Sequence, residues 1–210
     1  LSPELAVDLI ARIREVLPRI DGIIIEDYGK GLISADFVAG LLEAAAERNL
    51  VVTVDPKPGN PIHWQGVTTV KPNRSEAFAC AGIEDVHRDA GIDPLRDEPL
   101  LAAGRLLLEK WDCAVVLLTL GEQGMLVFSD APVPTHIPAK AREVFDVSGA
   151  GDTVIGVYTL GLCAGLSPAI AARISNLASS IVVGKLGTAP IEREELFDAI
   201  VRDFPEGVPL

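Results

Sequence analysis

The 210-residue chain is of a size that folds as one domain and buries roughly 70% of its unfolded surface without a disulfide or metal staple. Hydrophobic residues make up 49% of it and the formal net charge is −12, which argues against nucleic acid or an anionic membrane surface as a partner, since both select basic protein. No apolar run reaches the roughly 18 residues that a membrane-spanning helix needs.

The chain opens without an initiator Met and without the basic-then-apolar pattern of a signal peptide, so sequence upstream is expected to be missing. Residues 3–18 repeat apolar side chains at Leu5, Leu9, Ile13, Val16 and Leu17 behind Ser2 and Pro3, the spacing and start of a helix. Gly22-Ile23-Ile24-Ile25 is a short β-branched run, expected as a buried strand, and Ser34 then caps a helix to about residue 48. A second buried strand, 51–54, ends at Asp55-Pro56-Lys57-Pro58. The pattern repeats with strand 67–70, a helix from about residue 74, a longer helix near 99–111 and strand 114–118. Between 124 and 145, Pro132, Pro134 and Pro138 separate short segments of the kind found in edge strands. Helices at 151–163, 168–183 and 192–203 follow.

Buried strands alternating with amphipathic helices predict an α/β fold with a mostly parallel sheet, and the absence of repeats or a linker predicts a single domain over 1–210. The three cysteines, Cys80, Cys113 and Cys163, are isolated in apolar contexts, which predicts reduced thiols and a cytoplasmic setting. In a parallel sheet, ligands bind beyond the carboxyl ends of the strands. Polar residues fall at four predicted strand exits: Asp27 and Lys30, Asp55 and Lys57, Lys71 and Asn73, Thr119 and Gly121. They are expected to share a cleft.

The strongest local signal is Asp146-Val147-Ser148-Gly149-Ala150-Gly151-Asp152-Thr153, which runs directly into an apolar helix. The glycines allow a tight turn and close backbone approach to a ligand. The helix start offers unpaired N–H groups and a positive dipole end, an anion site in which Asp152 would stay ionised. An anion hole beside a carboxylate suits phosphoryl transfer, although the same residues taken alone also suit a turn and a helix cap. Asn73 and Glu76 by themselves equally suit an N-cap and a first-turn acid. His87-Arg88-Asp89 imitates a protein-kinase catalytic loop, but the required Asn is Pro94. No P-loop, G-x-G-x-x-G or G-x-S-x-G occurs, and His63, His87 and His136 are scattered.

Asp146–Asp152 resembles the D-[TS]-x-G-A-G-D signature of the PfkB (ribokinase-like) carbohydrate kinases. Asn73-Arg74-Ser75-Glu76 resembles that family's N-x-x-E element, and Thr119-Leu120-Gly121-Glu122-Gln123-Gly124 its T-x-G-x-x-G loop. The likeness runs from about residue 20 to about residue 190. It implies a three-layer αβα sandwich, ATP and Mg²⁺ as cofactors, Asp152 as base, and an anion hole from the amides of Gly149, Ala150 and Gly151. It also implies that Asn73 and Glu76 organise Mg²⁺ largely through water, with Lys71, Thr119, Gly121 and Gly124 beside the ATP phosphates. Asn176, Gly187 and Thr188 would lie near the adenine, and Asp146 and Ser148 near a monovalent cation such as K⁺.

Asp27–Gly31, Val54–Lys57 and Val183–Thr188 are similar to the kinase domain of the bifunctional heptose enzymes of lipopolysaccharide synthesis. That branch implies D-glycero-D-manno-heptose 7-phosphate as the sugar substrate, phosphorylated at its anomeric hydroxyl. Asp27, Lys30 and Lys57 would stand on the substrate side, where a phosphorylated sugar needs cations. Family members carry a longer N-terminal part that supplies the first strands, much of the sugar surface and a β lid whose edge commonly forms a homodimer contact. This chain begins after it, so the ATP half of a site is expected, and a nucleotidyltransferase domain is not within the chain. Another sugar, a nucleoside or a vitamin alcohol remains an alternative acceptor, as does a regulatory nucleotide-binding module, although such a module has no need of Asp152.

Overall fold

Four apolar runs form strands because each is too short for a helix and too β-branched to favour one. The structure is a computed structural model that describes residues 2–88, 91–140 and 145–209. Strands β1 (Gly22–Glu26), β2 (Val51–Asp55), β3 (Thr69–Val70) and β4 (Val115–Thr119) are parallel neighbours in chain order. Strands β5 (Met125–Phe128) and β6 (Thr135–Ile137) extend the sheet antiparallel, giving the order β1-β2-β3-β4-β5-β6.

Parallel strands that step in one direction through crossovers of one hand place their connections on one face. Helices α1 (Pro3–Val16), α2 (Ala35–Ala46), α3 (Arg74–Ala81) and α4 (Glu98–Trp111) accordingly share one core with the sheet. Helices α5 (Ala150–Cys163) and α6 (Pro168–Val182) cover the other face, and α7 (Arg193–Asp203) packs on α6. The result is the three-layer αβα sandwich that the resemblance implied. Strand β4 shows why its run is apolar without a break: Val116 and Leu118 enter the first core while Val115 and Leu117 enter the second. The expected caps Ser2 and Ser34 accept from the Leu5 and Phe37 amides, and Ser167 does the same for Ile170 at the start of α6.

Two expectations change. Strand β1 is not a buried central strand, since Ile24 is 41% exposed; in this chain β1 is the sheet's edge. Conversely, all four residues of β5 are buried, because it lies between β4 and β6 rather than at an edge. Residues 141–144 of the proline-rich stretch, and Asp89, lie outside the described residues.

Helix α5 is seated by polar contacts as well as by packing. Thr159 Oγ1 donates to the Ile155 carbonyl at 2.7 Å, which leaves the Thr53 hydroxyl as the donor in its 2.6 Å bond to Thr159. Tyr158 and Thr69 hydroxyls meet at 3.2 Å one strand further on. These buried bonds set the rotation of α5 beneath β2 and β3, and so the direction in which its first turn points.

The β4–β5 connection yields a stability test. Gly124 has φ 87°, and a Cβ there would overlap the Ile137 carbonyl oxygen and lie 2.6 Å from Ala139 N. Gly124→Ala is expected to destabilise the chain by about 2–3 kcal/mol through forced backbone strain. Urea unfolding checks this, and an unchanged midpoint would show that the hairpin re-forms around the methyl group.

Candidate active site

The carboxyl ends of β1 to β4 open on one rim, and Asp55, Lys71 and Thr119 stand there at the ends of β2, β3 and β4. The parallel register sets Val54 beside Val70, so the residues that follow them are neighbours. Lys71 Nζ lies 2.8 Å from Asp55 Oδ2 with its side chain 4% exposed. Gly151 closes over this ammonium, for a Cβ at residue 151 would lie 3.5 Å from Lys71 Nζ.

The turn ahead of α5 brings a second positive element to the same place. Gly149 is the N-cap residue with φ 78° and no side-chain cap, and its carbonyl accepts from both the amide (2.9 Å) and the hydroxyl (3.0 Å) of Thr153. Ala150 N donates to the Val147 carbonyl at 3.2 Å, so one of the three amides expected as an anion hole has an internal acceptor. The N–H groups of Gly151 and Asp152 belong to the first turn, whose amides have no acceptor within a helix. A buried ammonium and a helix N-terminus side by side offer an anion two positive groups.

A cavity of about 440 Å³ occupies this position, lined by Asp55, Lys71, Asn73, Glu76, Thr119, Gly121, Gly124, Gly151 and Asn176 among others. It adjoins a second of about 560 Å³ that shares Gly121, Val147, Ala150, Asn176 and Ser179 and adds Lys140 and Val183. On the opposite flank a recess of about 90 Å³ is lined by Glu26, Asp27, Tyr28, Asp55, Lys57 and Glu76. The arrangement is one elongated cleft with the α5 start at its middle.

Asn73 and Glu76 form a complete capping box: Asn73 Oδ1 accepts from Glu76 N at 2.9 Å, and Glu76 Oε2 accepts from Asn73 N at 2.9 Å. Glu76 Oε1 is 3.9 Å from Lys57 Nζ. Thr119 pairs with Asn73 as an isolated bridge and donates its amide to the Pro72 carbonyl, which draws both motifs together. Asn176 is buried and donates from Nδ2 to the Pro138 carbonyl at 2.8 Å while still lining both large cavities. Thr188 packs its methyl group against Gly149, with 3.0 Å from Thr188 Cγ2 to the place a Cβ would take, so the Gly187-Thr188 segment braces the turn. Asp146 accepts from Ser148 N at 2.8 Å, and this bond, with the Ser148 hydroxyl and the Gly187 amide, holds its carboxyl below the usual carboxylate range.

On the far flank the sequence-based picture is only partly met. Asp27 is buried with both oxygens engaged, Oδ1 by Gly29 N at 2.8 Å and Oδ2 by Asn60 Nδ2 at 2.7 Å, so it ties two loops together. Lys57 borders the recess, whereas Lys30 is exposed on its loop and borders none of the cavities above. Lys185, just after α6, donates to the Pro190 carbonyl at 3.0 Å and to Glu195 at 2.6 Å. Tyr28 and Glu26 were not singled out. The Tyr28 hydroxyl donates to Glu26 Oε2 at 2.7 Å, and its pKa is pushed up to about 12 by that bond and charge, then by Asp152 and Asp55. Their position at the exit of β1 was the signal available.

The donor set suits Mg²⁺ bound through substrate. Among the described residues no group of three His, Cys, Asp or Glu could hold a metal ion. A Mg²⁺ ion retains several waters and takes one or two carboxylates alongside phosphate oxygens, and Glu76 and Asp55 at the cleft wall are the carboxylates that could hold one.

A family model described as pfkB family carbohydrate kinase matches residues 34–194. The bifunctional protein HldE of Magnetococcus marinus is 39% identical across 90% of this chain and 38% of its own length. Ribokinase from Thermotoga maritima superposes with a TM-score of 0.68 at 25% identity, covering 89% of this chain and 58% of that one. Phosphofructokinase-2 from Escherichia coli, in complex with potassium, gives a TM-score of 0.72 at 18% identity over 91% of this chain and 61% of that one. The chain therefore spans 38% of the HldE relative and 58–61% of the two solved structures.

The Tyr28 tether predicts a titration. Its folded-state pKa is raised, so the bond stabilises fully below the ordinary tyrosine value near 10 and is lost as pH rises toward about 12. Tyr158, buried, is likewise raised to about 12, so neither of the two tyrosines should ionise below about pH 11 by absorbance at 295 nm. Glu26→Gln should return one of them toward 10; unchanged titration would show that Glu26 does not control Tyr28.

Proposed function

Because the chain belongs to the pfkB family of carbohydrate kinases, we propose that it is the nucleotide-binding and phosphoryl-transfer part of an ATP-dependent sugar kinase. The acceptor we assign is D-glycero-β-D-manno-heptose 7-phosphate, on the way to an ADP-heptose precursor of lipopolysaccharide. The observation that carries the proposal is the convergence of the buried Lys71 ammonium and the α5 N-terminus on one cavity, which calls for a polyanion. Identity to HldE of 39% supports the heptose branch, together with Lys57 at the flank where a sugar phosphate would sit.

In this mechanism the triphosphate lies along the cleft, with the adenine toward Asn176 and the Gly187-Thr188 segment. Asp152 accepts the proton of the acceptor hydroxyl as its oxygen bonds to the γ-phosphorus and the bond to the ADP oxygen breaks. The amides of Gly149 and Gly151 and the Lys71 ammonium hold the charge that spreads over the phosphoryl oxygens. Thr119, Gly121 and Gly124 form the wall beside the phosphates, and Asn73 and Glu76 orient the waters around Mg²⁺. Bound Mg²⁺ would neutralise phosphate charge. Asp146 and Ser148 are assigned to a K⁺ site that stiffens the turn, a role supported by the Asp146 carboxylate being held ionised there. Lys30 and Lys57 meet the sugar phosphate, while Asp27 shapes their loops. The setting is assigned as the cytoplasm, consistent with three free thiols, and a homodimer contact is assigned to the longer polypeptide.

The test is ADP release by the natural polypeptide that contains this chain, with heptose 7-phosphate as acceptor. Acceptor-dependent turnover is expected, and Asp152→Asn should lower it by about a hundredfold to ten-thousandfold, with MgATP affinity retained. Normal turnover by that variant would remove Asp152 from the role. Turnover only with another acceptor would overturn the heptose assignment, and MgATP binding without turnover on any acceptor would favour a regulatory module.

A further inference from the structure

The most heavily paired charge cluster outside the cleft centres on Arg74, directly after Asn73. Arg74 Nε and Nη2 donate to the two carboxylate oxygens of Asp85 at 2.8 and 2.6 Å, and Nη2 also donates to Asp97 Oδ2 at 2.8 Å. Asp97 is 1% exposed; its Oδ1 lies 3.0 Å from His87 Nδ1 and accepts the Leu100 amide at the start of α4. The guanidinium also lies over the Phe78 ring, 5.2 Å from its centroid. One side chain thus joins α3, the segment after it and the α4 N-terminus.

Helix α3 needs such an anchor. It has eight residues, of which only Ala77 and Phe78 are buried, and a helix that short holds neither its form nor its place without tertiary contacts. Its first turn nevertheless carries Asn73 and Glu76, which face the cleft opposite Lys57 and Thr119. The capping box fixes these two residues relative to the helix, and Arg74 fixes the helix relative to the start of α4. Resting on the function proposed above, we infer that Arg74, clamped by Asp85 and Asp97, is a positioning residue for the metal–nucleotide element at Asn73 and Glu76. Arginine suits this task because its planar fork engages both carboxylates at once, which a lysine ammonium does not reproduce.

Calorimetric titration of the natural polypeptide that contains this chain with ATP, in excess MgCl₂ and separately in EDTA, tests the inference alongside thermal melting. Arg74→Lys should weaken MgATP binding by about tenfold, as loss of a support behind a metal-binding group does, while metal-free ATP affinity shifts by less than about twofold. Asp85→Asn, which leaves Arg74 paired with Asp97, should shift the same ratio in the same direction by a smaller factor and carries the test where Arg74→Lys does not fold. A lowered melting temperature with an unaltered ratio of MgATP to metal-free affinity would make the cluster a structural anchor only and overturn the inference. If the unmodified polypeptide shows no Mg²⁺-dependent ATP binding, the function proposed above fails and this inference falls with it; unaltered variants beside a responsive parent defeat the inference alone.

Discussion

A lysine ammonium withdrawn almost completely from water must be answered by charge, and Lys71 is answered from the adjoining strand. Asp55, on the adjoining strand, supplies one carboxylate at 2.8 Å. Against the other side lies Gly151 in the first turn of α5, the positive end of a helix dipole. The ammonium and the helix start together form the positive part of the cleft wall. The pair exists because β2 and β3 run parallel in a register that sets Val54 beside Val70, with the Lys71 amide donating to Val54 O at 2.7 Å. A buried charge pair contributes little net stability, yet loss of one partner is severe, so the pair acts as a constraint on register and on where α5 begins.

The seating of α5 is the second half of that constraint. Apolar packing of Val154 and Tyr158 would tolerate small rotations of a helix. The Thr53–Thr159 and Thr69–Tyr158 hydroxyl bonds do not, because each leaves a buried polar group unpaired when the helix turns. The bonds sit on β2 and β3, the strands that deliver Asp55 and Lys71. The helix whose first turn offers amides and Asp152 is therefore indexed to the strands that supply the ammonium.

Structural and chemical duties coincide in several residues. Asn73 and Glu76 satisfy each other as a capping box and also line the cleft. Asn176 holds the 138–140 segment to α6 and also borders both large cavities. The alternatives that local sequence left open, cap or ligand, turn out not to exclude each other. A group that must point at a phosphate or its metal is best held by the hydrogen bonds that also end a helix.

Helices and their caps were legible because both depend on neighbours within four residues: Ser2, Ser34 and Ser167 each accept from an amide three positions on. The turn Gly149–Asp152 was legible for the same reason, since φ 78° at Gly149 is a local demand. Strand burial was not, because a run of Ile or Val does not encode which side its neighbour stands; β1 proved to be an edge and β5 interior. Nor were pairings over distance, such as Asp27 with Asn60 and Lys185 with Glu195. By itself the sequence determined the elements and their order, which follow from short-range backbone sterics and composition, and it set polar residues at the strand exits. Only the tertiary structure decided which of those residues share one cleft and which are already occupied, because sheet register and buried charge pairing are settled by contacts between segments far apart in the chain.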